Sequence, residues 1–359
     1  LIKNIIRNIC VWPKRGVVPI VQEVFDKQKE ELEGRPAGIL FINVKQAKNL
    51  PRVGAFSQKG DPMIMVNVAG SLKEKTTVKN NSIHPVWGEV LAVCVYSPLV
   101  VQFVDFEVHH GKESSSSMMC KMSYPLKLME PFEVDSQWHH LHDMNSESAA
   151  LTEAGTLQLD MMYKPFVQPK EEEKEEEEAD DIVVLPTASG GEQDIANQGE
   201  VTFSKMVSGR SGALFVELNY ATNLVEMDSM SSSDPTVYLS VGPKTFQSKT
   251  YEDELNPQFN EKFEFVGINP DIHPYLKVQV FDVDTLRSQR PMGEITIPMS
   301  SIVQSGQMEE TWSLEKVKTG KVNMTLRWME CQVKPRAAQL SSGPSLMRAK
   351  QISSNAVSV

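Results

Sequence analysis

Val280-Phe281-Asp282-Val283-Asp284 closes a run in which Leu276, Val278 and Val280 alternate with polar residues. Such alternation reads as a half-buried strand, so the two aspartates stand at a strand-to-loop corner. They are two residues apart, and on extended backbone that spacing points both carboxylates to one side. About fifty residues earlier, Asn223-Leu224-Val225-Glu226-Met227-Asp228 ends another alternating run, Leu214-Val216-Leu218, and Asp234-Pro235 follows six residues after Asp228. Four carboxylates on two neighbouring loops repel one another, each close pair by on the order of 4 kcal/mol at ~4 Å and an effective dielectric of ~20. A hard cation of calcium's size relieves that repulsion better than zinc or copper does. Asp228, Asp234, Asp282 and Asp284 are therefore candidate metal ligands, with the backbone of Met227 and Val283 as further donors. Each aspartate taken alone also suits a turn.

A repeat supports the joint reading. Residues 38–163 align on 212–328, with an offset near 174 that falls to 165 over the last strand. Gly38-Ile39-Leu40-Phe41 falls on Gly212-Ala213-Leu214-Phe215, Asn49-Leu50 on Asn223-Leu224, and Gly60-Asp61-Pro62 on Ser233-Asp234-Pro235. His84-Pro85-Val86-Trp87-Gly88-Glu89 falls on Asn256-Pro257-Gln258-Phe259-Asn260-Glu261, and Phe103-Val104-Asp105 on Val280-Phe281-Asp282. Trp138 falls on Trp312, and Gly155 on Gly320. Two related domains of roughly 125 residues are joined in one chain.

The order of these motifs resembles the C2 domain: a Gly-led strand, Asn-Leu, an Asp, Ser-Asp-Pro, Asn-Pro-x-Phe-x-Glu, Phe-Asp-x-Asp, Met-Gly and Trp-x-Leu. The resemblance implies an all-β chain with two antiparallel eight-stranded β-sandwiches, whose loops at one end bind calcium and phospholipid. A shorter resemblance precedes them. Ile9-Cys10-Val11-Trp12-Pro13-Lys14-Arg15 and Val18-Pro19-Ile20 are similar to the closing segment of the SMP lipid-transfer domain in extended and plant synaptotagmins. The domains then read as 1–24 (end of an SMP-like domain), 25–37 (connector), 38–165 (first C2 copy), 166–209 (acidic linker), 210–330 (second copy) and 331–359 (basic tail). The chain opens on Leu1, and its first residues read as the tail of something longer.

Acidity is unevenly spread. Net charge is -11, of which residues 167–209 carry -9. Residues 170–181 hold nine acids and two lysines, a composition that cannot bury enough apolar surface to order itself and that serves as a spacer or as an acidic strip. This balance argues against nucleic-acid binding. The four cysteines show no paired or metal-knuckle spacing, as expected in a reducing compartment. No run of eighteen uncharged apolar residues occurs. Neither a Gly-x-Ser-x-Gly motif nor a phosphate-binding Gly-Lys-Ser/Thr loop is present, so the chain is not expected to be an enzyme.

The first copy departs from the family pattern. Ala55 stands opposite Asp228; Asp61, Asp105, Glu107 and Glu113 fill the remaining positions as a weaker metal set. Lys73, Lys75 and Lys79 lie at odd positions. If they share one strand they form a basic face, which the resemblance assigns to lipid headgroups and which is otherwise a lysine-guarded sheet edge. His139, His140 and His142 follow Trp138 along a strand and do not share one face, so zinc is not expected. The second copy departs once, at Arg290, where the family has an aspartate. Turned inward, its guanidinium forks across Asp282 or Asp284; turned outward, it meets a lipid phosphate.

The resemblance implies peripheral docking on anionic phospholipid membrane. Calcium is the cofactor of the second copy, bound weakly. It further implies a tether at endoplasmic reticulum–plasma membrane contact sites that moves lipid and oligomerises with its own kind through an SMP domain. Two other classes stay open: a protein-interaction scaffold without lipid binding, and regulatory C2 copies from a lipid-modifying enzyme.

Overall fold

A computed structural model describes residues 35–53, 59–97, 102–111, 116–143, 153–167, 203–226, 233–283 and 289–334. The segments 1–24 and 25–34, most of the linker and most of the tail lie outside them.

The first copy has eight strands. These are β1 (Pro36–Lys48), β2 (Pro62–Val68), β3 (Ser71–Lys75), β4 (Val86–Tyr96), β5 (Phe103–His110), β6 (Ser117–Pro125), β7 (Val134–Asp143) and β8 (Glu153–Pro165). The second repeats them as β9 (Gly212–Thr222), β10 (Pro235–Val241), β11 (Lys244–Gln247), β12 (Gln258–Ile268), β13 (Tyr275–Asp282), β14 (Arg290–Pro298), β15 (Gln307–Ser313) and β16 (Lys321–Glu330). In the second copy the sheets are β11-β10-β13-β14 and β12-β9-β16-β15. The first copy has the same two layers, joined at one edge because Cys120 pairs with Asp143 and Lys121 with His142. Every strand pairing within the two copies is antiparallel, and inward residues such as Leu40, Ile42 and Val44, or Leu214, Val216 and Leu218, fill the space between the layers.

The motif residues are structural. Asn49 and Asn223 take left-handed backbone (φ 56° and 52°), and their amides donate to His84 Nδ1 at 3.1 Å and Asn256 Oδ1 at 2.9 Å. Glu89 and Glu261 accept from the amides of Thr77 (2.8 Å) and Lys249 (3.0 Å). Trp87 and Phe259 are buried at that turn. The repeat therefore encodes corners as well as strands.

The copies also touch. Ile39, Phe41, Ala92 and Cys94 of the first share an apolar cluster with Phe166, Phe203, Ala213, Val266 and Cys331. Backbone bonds cross the seam: Val167 N donates to Glu330 O and Gln332 N to Pro165 O, both at 2.8 Å. Lys164, 4% exposed, lies across it, donating to Val207 O (3.3 Å), Gly209 O (3.0 Å) and Ser211 Oγ (3.1 Å) at the end of a short helix over 203–208. Burial holds the ammonium pKa below the ordinary lysine value. The unfolded chain thus keeps this proton to higher pH than the folded chain, and the site's contribution to stability rises with pH between the folded and ordinary values. Lys164→Met should abolish that rise and lower stability by about 2 kcal/mol through the unpaired carbonyls. Denaturant titrations of both proteins over alkaline pH measure it; an unchanged slope in Lys164→Met would contradict the assignment.

Candidate functional site

At the loop end of the second sandwich, β10 begins beside the end of β13, with Pro235 opposite Asp282 and Asp282 opposite Arg290. Asp282 is 3% exposed, and both its oxygens are engaged. Oδ1 accepts the Asp234 amide at 2.7 Å, and Oδ2 accepts Arg290 Nη2 at 2.5 Å. Asp234 Oδ1 accepts the Asp253 amide at 2.8 Å, and Val283 N donates to Asp234 O at 3.0 Å. Arg290 is therefore turned inward. Met227, Asp228 and Asp284 lie outside the described residues.

This arrangement bears on calcium. The ion takes six to eight oxygens. Among the described residues no group of three or more His, Cys, Asp or Glu could hold a metal, and the Asp282 oxygens already serve a guanidinium and an amide. The described donors do not fit a calcium ion while Arg290 stays in place.

The first sandwich corrects the sequence alignment. Pro62, the counterpart of Pro235, stands opposite His110, not Asp105. The Asp61 amide donates to His110 Nδ1 at 2.8 Å, just as the Asp234 amide donates to Asp282. His110 therefore occupies the Asp282 position. Asp105 lies mid-strand opposite Asn67, about 17 Å back along β5 at ~3.3 Å per residue, where it accepts the Ser123 hydroxyl. Glu107 is opposite Met65 and lies 3.0 Å from His109 Nε2. Neither acid stands at the loop corner. Asp61 is there, its Oδ1 accepting the Asn81 amide at 2.7 Å, whereas Ala55 and Glu113 lie outside the described residues. On β6, Met119-Cys120 holds the place of Met292-Gly293.

A smaller slip affects Trp138. Trp312 faces Val322 on β16, and the equivalent of Val322, Leu157, faces His139. His139 thus takes the Trp312 position, edge-on to Tyr124 at 5.7 Å, while Trp138 lies under Lys48. Burial lowers the His139 pKa.

The three lysines do not share one strand. β3 ends at Lys75, because the Thr76 hydroxyl accepts the Ile64 amide at 2.9 Å. Ser248 does the same for Val237 in the second copy. Lys79 lies beyond this turn, 3.3 Å from Glu89. Lys75 also has a partner. Lys73 reaches the other sandwich, where Nζ lies 3.5 Å from Glu264 Oε2. Glu264, Tyr96, Lys244 and Glu74, which meet there, carry no local sequence signature. Gly267, inside β12, does carry one, because a glycine within a strand marks close approach of another backbone or ligand.

Two antiparallel sandwiches with aligned loop corners define a C2 architecture, and the C2 domain family model matches residues 38–141 and 212–314. The chain belongs to that family, as a tandem pair homologous to plant and extended synaptotagmins. It is 27% identical over 344 residues to Synaptotagmin-5 of Arabidopsis thaliana, covering 91% of this chain and 58% of that one. Identity to Extended synaptotagmin-2 of Homo sapiens is 24%, covering 94% of this chain and 34% of that one. The chain thus spans little more than half the length of the plant relative. A calcium-bound structure of the paired C2 domains of Extended-Synaptotagmin 2 matches with a TM-score of 0.51 at 20% identity, over 84% of this chain and 99% of that one. A structure that adds the SMP domain to the same pair matches at 0.52 and 21% identity, over 93% and 64%. Among the described residues no helix is long and apolar enough to cross a membrane.

Proposed function

We propose that the chain is the membrane-docking part of a lipid-transfer tether, binding anionic phospholipid from the cytosolic side of endoplasmic reticulum–plasma membrane contacts without catalysing a reaction. The observation that carries this reading is the tandem of two complete C2 sandwiches, in a chain homologous along 91% of its length to a plant synaptotagmin. The Trp12-Pro13-Lys14 stretch ahead of the tandem supports an SMP domain upstream, through which such chains would pair. Arg290 supports weak calcium dependence in the second copy, and His110 supports calcium independence in the first.

Sedimentation with phosphatidylcholine vesicles, with and without phosphatidylserine, tests the reading. Binding should require the anionic lipid, persist in chelator and fall with salt. Charge reversal at Lys75 and Lys79 together should weaken it on the order of tenfold or more, each lysine near an anionic leaflet contributing ~1 kcal/mol. Indifference to phosphatidylserine, with capture of a protein partner instead, would replace this reading with a scaffold.

A further inference from the structure

β4 and β12 are the same strand of the two copies, and so are β3 and β11. They face each other. Glu264 on β12 receives two groups from the first sandwich, the Lys73 ammonium at 3.5 Å and the Tyr96 hydroxyl, which donates to Oε1 at 2.5 Å. In the opposite direction, Lys244 on β11 donates to Glu74 on β3 at 2.5 Å. Beneath these pairs, Gly267 has φ +74° and lies so close to β4 that a Cβ there would stand 2.7 Å from the Ala92 Cβ. An open cleft of about 490 Å³ runs between the strands, with Lys73, Lys262 and Glu264 in its lining.

We propose that these equivalent faces form an intramolecular clasp, in which Glu264 of the second sandwich holds Lys73 and withholds it from anionic surfaces. The proposal rests on the lipid-docking reading for its consequence, but not for the clasp itself. The ion pairs are half-exposed, with side chains 24–30% accessible, so they are salt-screened and can be released. An anionic leaflet offers Lys73 many phosphates in exchange for one glutamate. Ala92 and Gly267 make the fit specific, since any larger side chain at the seam holds the faces apart.

Cys94 and Cys331 report on the seam. Both are buried in the shared cluster, and burial pushes both thiols up to about 12. Cys120, equally raised, is buried inside the first sandwich. A wedge that alters no charge, Ala92→Gln with Val266→Gln, should open the clasp while leaving both sandwich cores intact, because neither residue belongs to them. In a Cys10→Ser background, maleimide labelling read peptide by peptide by mass spectrometry should show Cys94 and Cys331 becoming reactive, with Cys120 still protected. Binding to phosphatidylserine vesicles should then tighten about fivefold, one more lysine being brought to the leaflet. Adding Lys73→Ala should cancel that gain.

Unchanged protection of Cys94 and Cys331 in the wedge variant overturns the clasp. Labelling of all three cysteines together, which means unfolding, is resolved by a second variant, Glu264→Gln with Glu74→Gln. That variant must expose Cys94 and Cys331 alone, or the clasp fails. Opening without tighter binding, or a gain that survives Lys73→Ala, overturns the withholding of Lys73. If neither wild type nor variant binds vesicles, the lipid reading fails and the labelling alone decides the clasp.

Discussion

Removing the guanidinium in Arg290→Ala should lower the stability of the second sandwich by about 3 kcal/mol in chelator, and calcium should restore part of it. Asp282 is 3% exposed and its Oδ2 has Arg290 as its ionic partner, so the variant leaves a buried carboxylate uncompensated. Arg290 retains 24% of its side-chain exposure, which places the cost at the lower end of that for breaking a buried pair. The freed oxygen is then available to a cation, and ligand that binds only the folded state adds RT ln(1 + [L]/Kd) to stability. Arg290→Asp should go further and bind calcium more tightly than wild type, whereas Asp282→Asn should lose what calcium response there is. Thermal unfolding of the full chain in chelator and in calcium measures all three. Equal loss with and without calcium in Arg290→Ala would mean that the corner is only an ion pair.

Trp87→Ala should cost the first sandwich about 3–5 kcal/mol, the usual range for truncating a fully buried aromatic. Trp87 is 1% exposed, and its indole Nε1 donates to Thr77 O at 3.0 Å. That bond fixes the turn after β3, the same turn whose amide is held by Glu89 and which separates Lys79 from Lys73. Truncation opens a cavity and frees the turn together. Trp87→Phe, which keeps most of the volume but not the donor, should cost only about 1–2 kcal/mol. Urea titration resolves the two; equal costs would show that the hydrogen bond, and not the packing, dominates.

The sandwich fold was legible because its signals are local and repeated. Leu214-Val216-Leu218 alternates, Asn49 and Asn223 take the left-handed turn, and Asp61-Pro62 repeats as Asp234-Pro235. Register within β5 was not. Phe103-Val104-Asp105 imitates Val280-Phe281-Asp282 in sequence, but the strand continues five residues to His110, and only pairing with Pro62 reveals it. A histidine accepting the same amide as an aspartate leaves no acidic signature. The turn at Thr76 was hidden for a related reason: a side-chain hydroxyl replaces a ladder bond there, and the Lys-x-Lys-x-x-x-Lys spacing continues through it. Arg290 stood out as a departure from the family pattern, yet its inward turn needed the Asp282 geometry. The contact between Lys73 and Glu264 joins residues 191 apart, and no local pattern encodes it.

The junction of the two sandwiches has a mechanical consequence. Phe166 N donates to Ala37 O at 2.9 Å, and on its other side Gln332 N donates to Pro165 O at 2.8 Å. The incoming strand, the exit of the first sandwich and the exit of the second thus lie side by side at one seam. Two strand spacings, about 10 Å, separate entry from final exit. Tension between the segments flanking the tandem would therefore run across this three-ply seam and not through the strands of either sandwich. The sandwiches hang from the line of force like two weights from one hook, and strain would peel a few backbone bonds at Phe166 before it reached a core or a loop corner.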